Sequence, residues 1–359
     1  MAEFVVTAEQ NDLRTAVREF LAKACDETAV RRAMEAGYDR ALWARLGGEL
    51  GVLGLAVPED LGGAGGTLVD QAIVMEECGA ALLPGPVLGT VGLAVPALAA
   101  VGEDVSAYAC GRRTAALVEG PGISVSAGAV TGEAAQVVDG EADVLVVAAQ
   151  DGDSTALLLV EGAEATPLST LDPTRRQARV RFDATPGRLL ATGEDAERAL
   201  TAARHTAAAL LAAEQVGGAQ RLLGMTVAYA GTRLQFGRPI GSFQAVKHRC
   251  ADMLVRVEHA RSAAYHAAWA LSDGSDDPDL VVSVAQAVCS EAYREVALAA
   301  VQLHGGIGFT WEHPTHLYVK RAVTDAALLG SAEWHRERIA RLVLDGKQSR
   351  PVTVTVATG

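Results

Sequence analysis

The chain has 359 residues, half of them apolar, and a formal net charge of −13. That length admits two or three domains, or one large helical enzyme with an inserted module, and an acidic field without a dense Lys/Arg stripe argues against a nucleic-acid partner. Five scattered cysteines (Cys25, Cys78, Cys110, Cys250, Cys289) include no Cys-x-x-Cys or Cys/His pair at metal spacing, so no metal is expected and a reducing compartment fits.

Met1-Ala2-Glu3-Phe4 lacks a basic segment followed by an apolar one, and the longest weakly polar run, Val87 to Val101, is broken by Pro96 and too short to span a bilayer. The expectation is a cytoplasmic protein with no membrane segment. From Thr7, the spacing of Leu13, Val17, Phe20, Leu21 and Ala24 predicts an amphipathic helix behind a Thr7-x-x-Gln10 capping box. A second helix is predicted over Asp39 to Leu50, then a loop at Gly62-Gly63-Ala64-Gly65-Gly66, then a helix from about Leu68 to Leu82 stopped by Pro84 and Pro86. Residues 1–112 therefore read as a helical domain. Between 113 and 192 the texture changes to short apolar runs such as Val144 to Val147 and Ala156 to Val160, with Asp151-Gly152 as a hairpin signal, which predicts a small β-domain. Helical period returns over 193–347. Phe243, Val246, Cys250, Met253 and Val257 step by three and four, as do Val281, Val284, Val288, Ala292, Val296, Ala299 and Leu303, and a turn at Gly274 to Pro278 makes the two helices antiparallel. The tail, 348–359, contains a strand-like alternation at Val352 to Val356 that receives no role.

Two segments carry chemistry. Arg233-Leu234-Gln235-Phe236-Gly237-Arg238-Pro239-Ile240-Gly241-Ser242-Phe243-Gln244 is a Gly/Pro-punctuated loop between helices, offering guanidinium charge, close backbone approach and the free amides of the next helix, all suited to a diphosphate. Taken alone, the segment is better explained as an ordinary interhelical turn with solvated arginines, since such loops are common. Gln302-Leu303-His304-Gly305-Gly306-Ile307-Gly308 ends an apolar helix, and a helix C-cap accounts for its glycines while packing accounts for its histidine.

In this order, about sixty residues apart, Arg-x-x-Phe-Gly-x-Pro-Ile-Gly-x-Phe-Gln and Gln-x-His-Gly-Gly-x-Gly resemble the signature of the acyl-CoA dehydrogenase family. The resemblance extends to Leu53-Gly54-Leu55-Ala56-Val57-Pro58-Glu59 and to Glu312-x-Pro314, and so covers nearly the whole chain. It implies a mainly α fold with a small β insert: an N-terminal helical domain, a middle β-domain and a C-terminal four-helix bundle. It also implies FAD as cofactor, an acyl-CoA thioester as substrate, and an electron acceptor such as an electron-transfer flavoprotein. Arg233 and Phe236, with Gln302, Gly305 and Gly306, match family positions that reach across a subunit interface to the ADP part of a neighbour's FAD, and Gln235 and Gln244 match flanking positions.

The same resemblance exposes what is missing. The family removes an α-proton with a carboxylate while the β-hydrogen leaves as hydride to the flavin. Leu329 stands where that glutamate precedes a Gly-Thr in the family, and Ala207 stands at the alternative position on the first bundle helix. Glu214 lies seven residues beyond Ala207, on about the same helical face but about 10 Å along the axis. It is the remaining candidate base, against a structural or interfacial role. The β-domain also lacks the family's Thr-Glu-Pro turn, reading Glu119-Gly120-Pro121-Gly122 after Ala115-Ala116-Leu117-Val118, and has Val137-Val138 near the expected tryptophan. The expectation is the non-catalytic subunit of an α2β2 acyl-CoA dehydrogenase, paired with a second dehydrogenase-like subunit. Two rivals stand beside it: a self-sufficient homo-oligomer with a displaced base, and a non-enzymatic acyl-CoA-binding scaffold.

Overall fold

The structure, a computed structural model, describes residues 6–345. Met1 to Phe4 and the 348–359 tail with its Val352 to Val356 alternation lie outside the described residues. Six helices come first: α1 (Ala8–Ala24), α2 (Glu27–Ala36), α3 (Arg40–Gly48), α4 (Leu68–Ala80), α5 (Val95–Ala100) and α6 (Ser106–Ala109). The capping box forms at Thr7, whose Oγ1 accepts from the Gln10 amide at 3.2 Å while Gln10 Oε1 accepts from the Thr7 amide at 3.1 Å. Thr67 and Asp70 repeat the device at the start of α4. Helix α2 was not predicted: it is short, buries only Val30 and Ala33, and announces itself by the Asp26 cap rather than by an apolar stripe. The Val87 to Val101 run is a buried π-helix over 87–94 that flows into α5, with Pro96 in the first turn, where its missing amide is no loss.

Seven strands follow: β1 (Ala115–Val118), β2 (Ser124–Ser126), β3 (Ala129–Val138), β4 (Val144–Asp151), β5 (Ser154–Val160), β6 (Glu164–Pro167) and β7 (Gln177–Thr192). Pairing runs β4–β2–β3–β7–β5 and returns from β5 to β4, closing a small barrel, with β1 parallel to β4 and β6 beside β7. Alternating Val130, Val147, Leu158 and Phe182 fill it. The β4–β5 hairpin turns one residue later than the Asp151-Gly152 signal suggests, because Asp151 still pairs with Ser154 and Gly152-Asp153 form the loop. Gly152 takes the positive φ that such a turn needs.

The rest is helical: α7 (Gly193–Thr232), a minute hairpin of β8 (Leu234–Gln235) and β9 (Arg238–Pro239), α8 (Gln244–Asp273), α9 (Pro278–His304), α10 (Thr315–Asp325) and α11 (Ala332–Ala340). Gly274, left-handed at φ 66°, ends α8, and Asp277 caps α9 by accepting from the amides of Asp279 and Leu280. Helix α7 joins the layers. It crosses α4 with backbones in contact: a Cβ on Gly217 would lie 1.8 Å from the Glu76 carbonyl oxygen, and one on Gly79 would lie 2.0 Å from that of Glu214. No described helix is long and apolar enough to cross a membrane, and no group of His, Cys, Asp or Glu among the described residues is placed to hold a metal.

The three layers meet at a buried ionic cluster. Arg175, from the β6–β7 connection, pairs with Glu214 of α7 and with Asp325 of α10 at 3.1 Å. Arg321 of α10 binds Glu214, Asp172 at 2.5 Å and the Thr174 hydroxyl at 2.6 Å. Burial alone raises the Glu214 carboxyl, but the two guanidiniums outweigh it and hold it below the ordinary carboxylate range. Asp325, the third acid beside two cations, is pushed up to about 7 by burial despite Arg175, with Glu214 adding repulsion.

Two outcomes follow from this cluster. Arg321→Met leaves Asp172 buried without a guanidinium and is expected to cost about 3–5 kcal/mol of unfolding free energy, read from denaturant curves. For Asp325, the folded chain keeps a proton that the unfolded chain, with its pKa near 3.8, has released by neutral pH. Its contribution to stability therefore falls as pH rises from about 4 to about 7, and is level above that. Asp325→Asn has no such term, so its melting temperature is expected to gain on wild type across that window; parallel curves would refute the assignment.

Candidate functional site

The bundle end formed by the last turn of α7, the first turn of α8 and the last turn of α9 gathers most of the residues expected to bind cofactor. Tyr229 of α7 stacks on His304 of α9 with ring centroids 4.6 Å apart, and His304 lies 4.5 Å from His313 beyond the double glycine. This aromatic stack fastens the two helix ends together. The His304 Nδ1–H donates to the Ala300 carbonyl at 2.7 Å, and burial holds the ring below its ordinary pKa, so it remains neutral packing.

Above the stack, Arg233 caps α7 and the chain reverses in a two-residue hairpin, Leu234 opposite Pro239 and Gln235 opposite Arg238. Phe236 and Gly237 both have positive φ, 54° and 76°, the type I′ pattern. Asparagine or glycine suits the first of these positions; a phenylalanine there carries left-handed strain of about 1–2 kcal/mol. Its ring is 91 % exposed, touching Phe243 edge-on at 6.1 Å, while the Arg238 guanidinium lies over the other face of this small group, 4.1 Å from the Phe243 centroid. Arg233 and Gln235 are exposed, and Arg233 has no carboxylate partner among the described residues. Gly241 lets the loop return: a Cβ there would lie 2.9 Å from the Ala230 carbonyl oxygen. Phe243 provides no side-chain cap, so the first amides of α8, at Gln244 and Ala245, point outward without a helical acceptor.

Gln302 is exposed on the last turn of α9. Gly305 needs its glycine for the chain itself, ending α9 at φ 64°. Gly306 does not: its φ is ordinary, and a Cβ would meet nothing within 4 Å. An exposed glycine with open space above it is a cradle that a side chain would fill. Next to it, Phe309 and Trp311 are 83 % and 62 % exposed. Free amides, unpaired guanidinium charge, a bare glycine surface and exposed aromatic faces suit the phosphates and adenosine of a dinucleotide.

The positions of the missing base lie elsewhere. Ala207 is fully buried in α7, packed in a cluster with Leu88, Ala115, Leu117 and Leu211. Leu329, left-handed at φ 57° in the turn between α10 and α11, packs against that cluster and against the one containing Ala208. The two alternative sites thus look onto one apolar region, and neither has a carboxylate. Glu214 faces the ionic cluster instead, its Oε1 held by Arg175 and Arg321. A carboxylate so engaged, with its pKa depressed, suits an ion-pair hub and is a poor proton acceptor. Two members of that hub, Arg321 and Asp325, sit four apart on a helix whose neighbouring Leu317, Tyr318 and Ala322 are buried. Charges on a buried stripe were the available signal.

Helical domain, β-barrel and long-helix bundle together define a flavoprotein dehydrogenase architecture. Comparison narrows it. The acyl-CoA dehydrogenase N-terminal domain matches residues 7–106, and the acyl-CoA dehydrogenase C-terminal domain matches residues 196–344. The chain is 42 % identical over 336 residues to the acyl-CoA dehydrogenase IpdE2 of Mycobacterium tuberculosis, covering 93 % of this chain and 96 % of that protein. Among solved structures it is similar to the ChsE4-ChsE5 complex of M. tuberculosis (30 % identity, TM-score 0.87, 97 % of this chain and 100 % of that chain). It is also similar to a Tcur3481-Tcur3483 steroid acyl-CoA dehydrogenase variant (29 %, TM-score 0.85, 95 % and 99 %). The chain belongs to the acyl-CoA dehydrogenase family, FAD-dependent oxidoreductases that act on acyl-CoA thioesters.

Because strain at Phe236 has no compensation within the described residues, Phe236→Gly is expected to leave the unfolding free energy of the isolated chain unchanged or raise it by up to about 1 kcal/mol. Urea titration checks this; a clear loss of stability would mean that the ring is held by the chain after all.

Proposed function

We propose that this chain is the non-catalytic subunit of a heteromeric acyl-CoA dehydrogenase, contributing the ADP-side half of an FAD site that a second, unlike subunit completes with the catalytic carboxylate. One contrast supports the reading above all others. The bundle end presents Arg233, Gln235, Phe236, Gln244, Gln302, Gly305 and Gly306 outward, whereas Leu329 and Ala207 are apolar and Glu214 is committed to two arginines. Outward presentation suits a cofactor held between chains. Bound there, FAD supplies the acceptor for the substrate's β-hydride. Arg233 and the first amides of α8 neutralise the diphosphate, Gly306 admits the adenosine side at close range, and Phe236 covers an apolar face. The ChsE4-ChsE5 complex is a solved relative of two differently named chains, which fits this reading. The steroid dehydrogenase among the structural neighbours favours a bulky, polycyclic acyl group on the CoA ester, with an electron-transfer flavoprotein as the acceptor of electrons.

Purification alone and co-expressed with a candidate partner provides the test. The isolated chain is expected to be colourless and inactive in dye reduction with acyl-CoAs, and the complex yellow and active. Arg233→Ala and Gly306→Val in this chain are each expected to lower the FAD content of the complex at least about tenfold at limiting FAD, equivalent to about 1.4 kcal/mol. A yellow, active isolated chain would establish the self-sufficient homo-oligomer instead, and a complex whose flavin content is indifferent to this chain would establish a scaffold.

A further inference from the structure

Helix α7 has two unlike faces near its middle. Ala207 and Leu211 point into the sealed cluster with β1 and the π-helix. Ala202, His205 and Thr206, about half a turn of the helix away, line a crevice of about 520 Å3 on the other side. Its far walls are loops of the N-terminal domain, the outer face of the π-helix and α5, and the end of α8; Leu53, Val57, Val91, Val95 and Leu210 line it together with polar groups that take nearly half of its exposed surface. That volume lies inside the range of about 300–1,000 Å3 typical of small-molecule sites, and a few fixed polar groups on an apolar wall are their usual composition.

His205 is the oriented polar group. Its Nε2 is 2.7 Å from Asp279 Oδ1, and the same oxygen accepts from the Arg338 guanidinium. A carboxylate that already accepts from arginine can only accept from the imidazole, so Nε2 carries a proton toward Asp279 and Nδ1 is left for another partner. Nδ1 has no hydrogen-bond partner among the described residues. Of the other polar groups on the wall, Gln71 donates to the Val52 carbonyl at 3.0 Å and accepts from the Leu55 amide at 3.2 Å, the Thr67 hydroxyl bonds Asp70 and the Ser272 hydroxyl donates to the Ala268 carbonyl at 2.8 Å, which leaves the Thr206 hydroxyl as the second group without a side-chain partner among the described residues.

We propose that this crevice binds a small molecule with an apolar body and a hydroxyl group, the hydroxyl hydrogen-bonding to Nδ1 of His205. The site is independent of the flavin-binding end of the bundle and of the sealed region around Ala207. Asp279 and Arg338 act as positioning residues that fix the ring.

The full-length chain, in whatever assembly it purifies, is titrated by calorimetry with 2-naphthol, naphthalene and 2-naphthoate. One 2-naphthol is expected per chain, bound at least about tenfold more tightly than either analogue, about 1.4 kcal/mol for one good hydrogen bond. His205→Phe keeps the ring volume and is expected to bring 2-naphthol and naphthalene within about twofold of each other, a difference of about 0.4 kcal/mol. Ala202→Trp, which plugs the crevice from α7 and leaves His205 in place, is expected to abolish binding of all three; Ala99→Trp does the same from the opposite wall should the histidine variant fail to fold. Equal affinity for naphthol and naphthalene in wild type, tighter binding of the anionic naphthoate, or binding that survives both tryptophan variants would each overturn the proposal.

Discussion

Two guanidiniums buried among three carboxylates hold the three layers of this protein in register. Arg175 arrives on the loop that leaves the barrel, Glu214 on the bundle's longest helix, and Arg321 and Asp325 on a short helix near the end of the chain. Glu214 is shared by both guanidiniums and each guanidinium also holds an aspartate, so removal of one charge unbalances the rest of a desolvated network. Taking charges out of water is costly, and such clusters are better suited to fixing an arrangement than to supplying net stability. Here the arrangement fixed is the seat of α10. The stretch from Gly305 to Pro314 hangs between α9 and that helix, and the turn carrying Leu329 follows it, so both the exposed bundle end and that turn take their places from the cluster.

The same cluster explains why Glu214 and the missing base are separate matters. A catalytic carboxylate needs a free lone pair close to neutrality and access to substrate; Glu214 has neither, being buried and pulled down by two arginines. Asp325 and Asp139 are the acids that burial pushes up to about 7, yet Asp325 binds Arg175 deep inside and Asp139 accepts from the Gly89 amide at 3.0 Å, anchoring the π-helix. Their unusual protonation belongs to the junction between layers. Perturbed acids mark active sites often enough to be searched for, but these two face no cavity that a thioester could enter.

What the sequence discloses divides by range. Thr7-x-x-Gln10, the Gly274–Pro278 turn, the apolar steps of α8 and α9 and the Arg233–Gln244 loop are local patterns, and each appears as read, because capping, turn chemistry and helical period act over a few residues. The resemblance to acyl-CoA dehydrogenases likewise rests on compact segments. Helix α2 has too little apolar face to register, and the Val87 to Val101 run carries no sign of π geometry, which arises from packing against α7 and β1. The ionic cluster is the clearest case: Asp172 and Arg321 are 149 positions apart, Arg175 and Asp325 150, and the one local hint, two charges on the apolar stripe of α10, does not say which residues they meet. His205 and Asp279, 74 positions apart, are hidden for the same reason.

The exposed end of the bundle carries local costs that the described residues do not offset. A phenylalanine held left-handed costs about 1–2 kcal/mol, and leaving its ring in water forgoes a further gain of about 1.5–3 kcal/mol that burial would bring. Nothing among the described residues offsets either, since Phe243 meets the ring only at its edge. Gly306 adds a second unexplained feature, a flexible residue where an alanine would fit without collision and with less entropy lost on folding. Both departures are local, adjacent to unpaired positive charge, and directed away from the chain. An external surface that is apolar over the ring and anionic beside Arg233 removes all of them at once, whereas a structural explanation has to account for each separately.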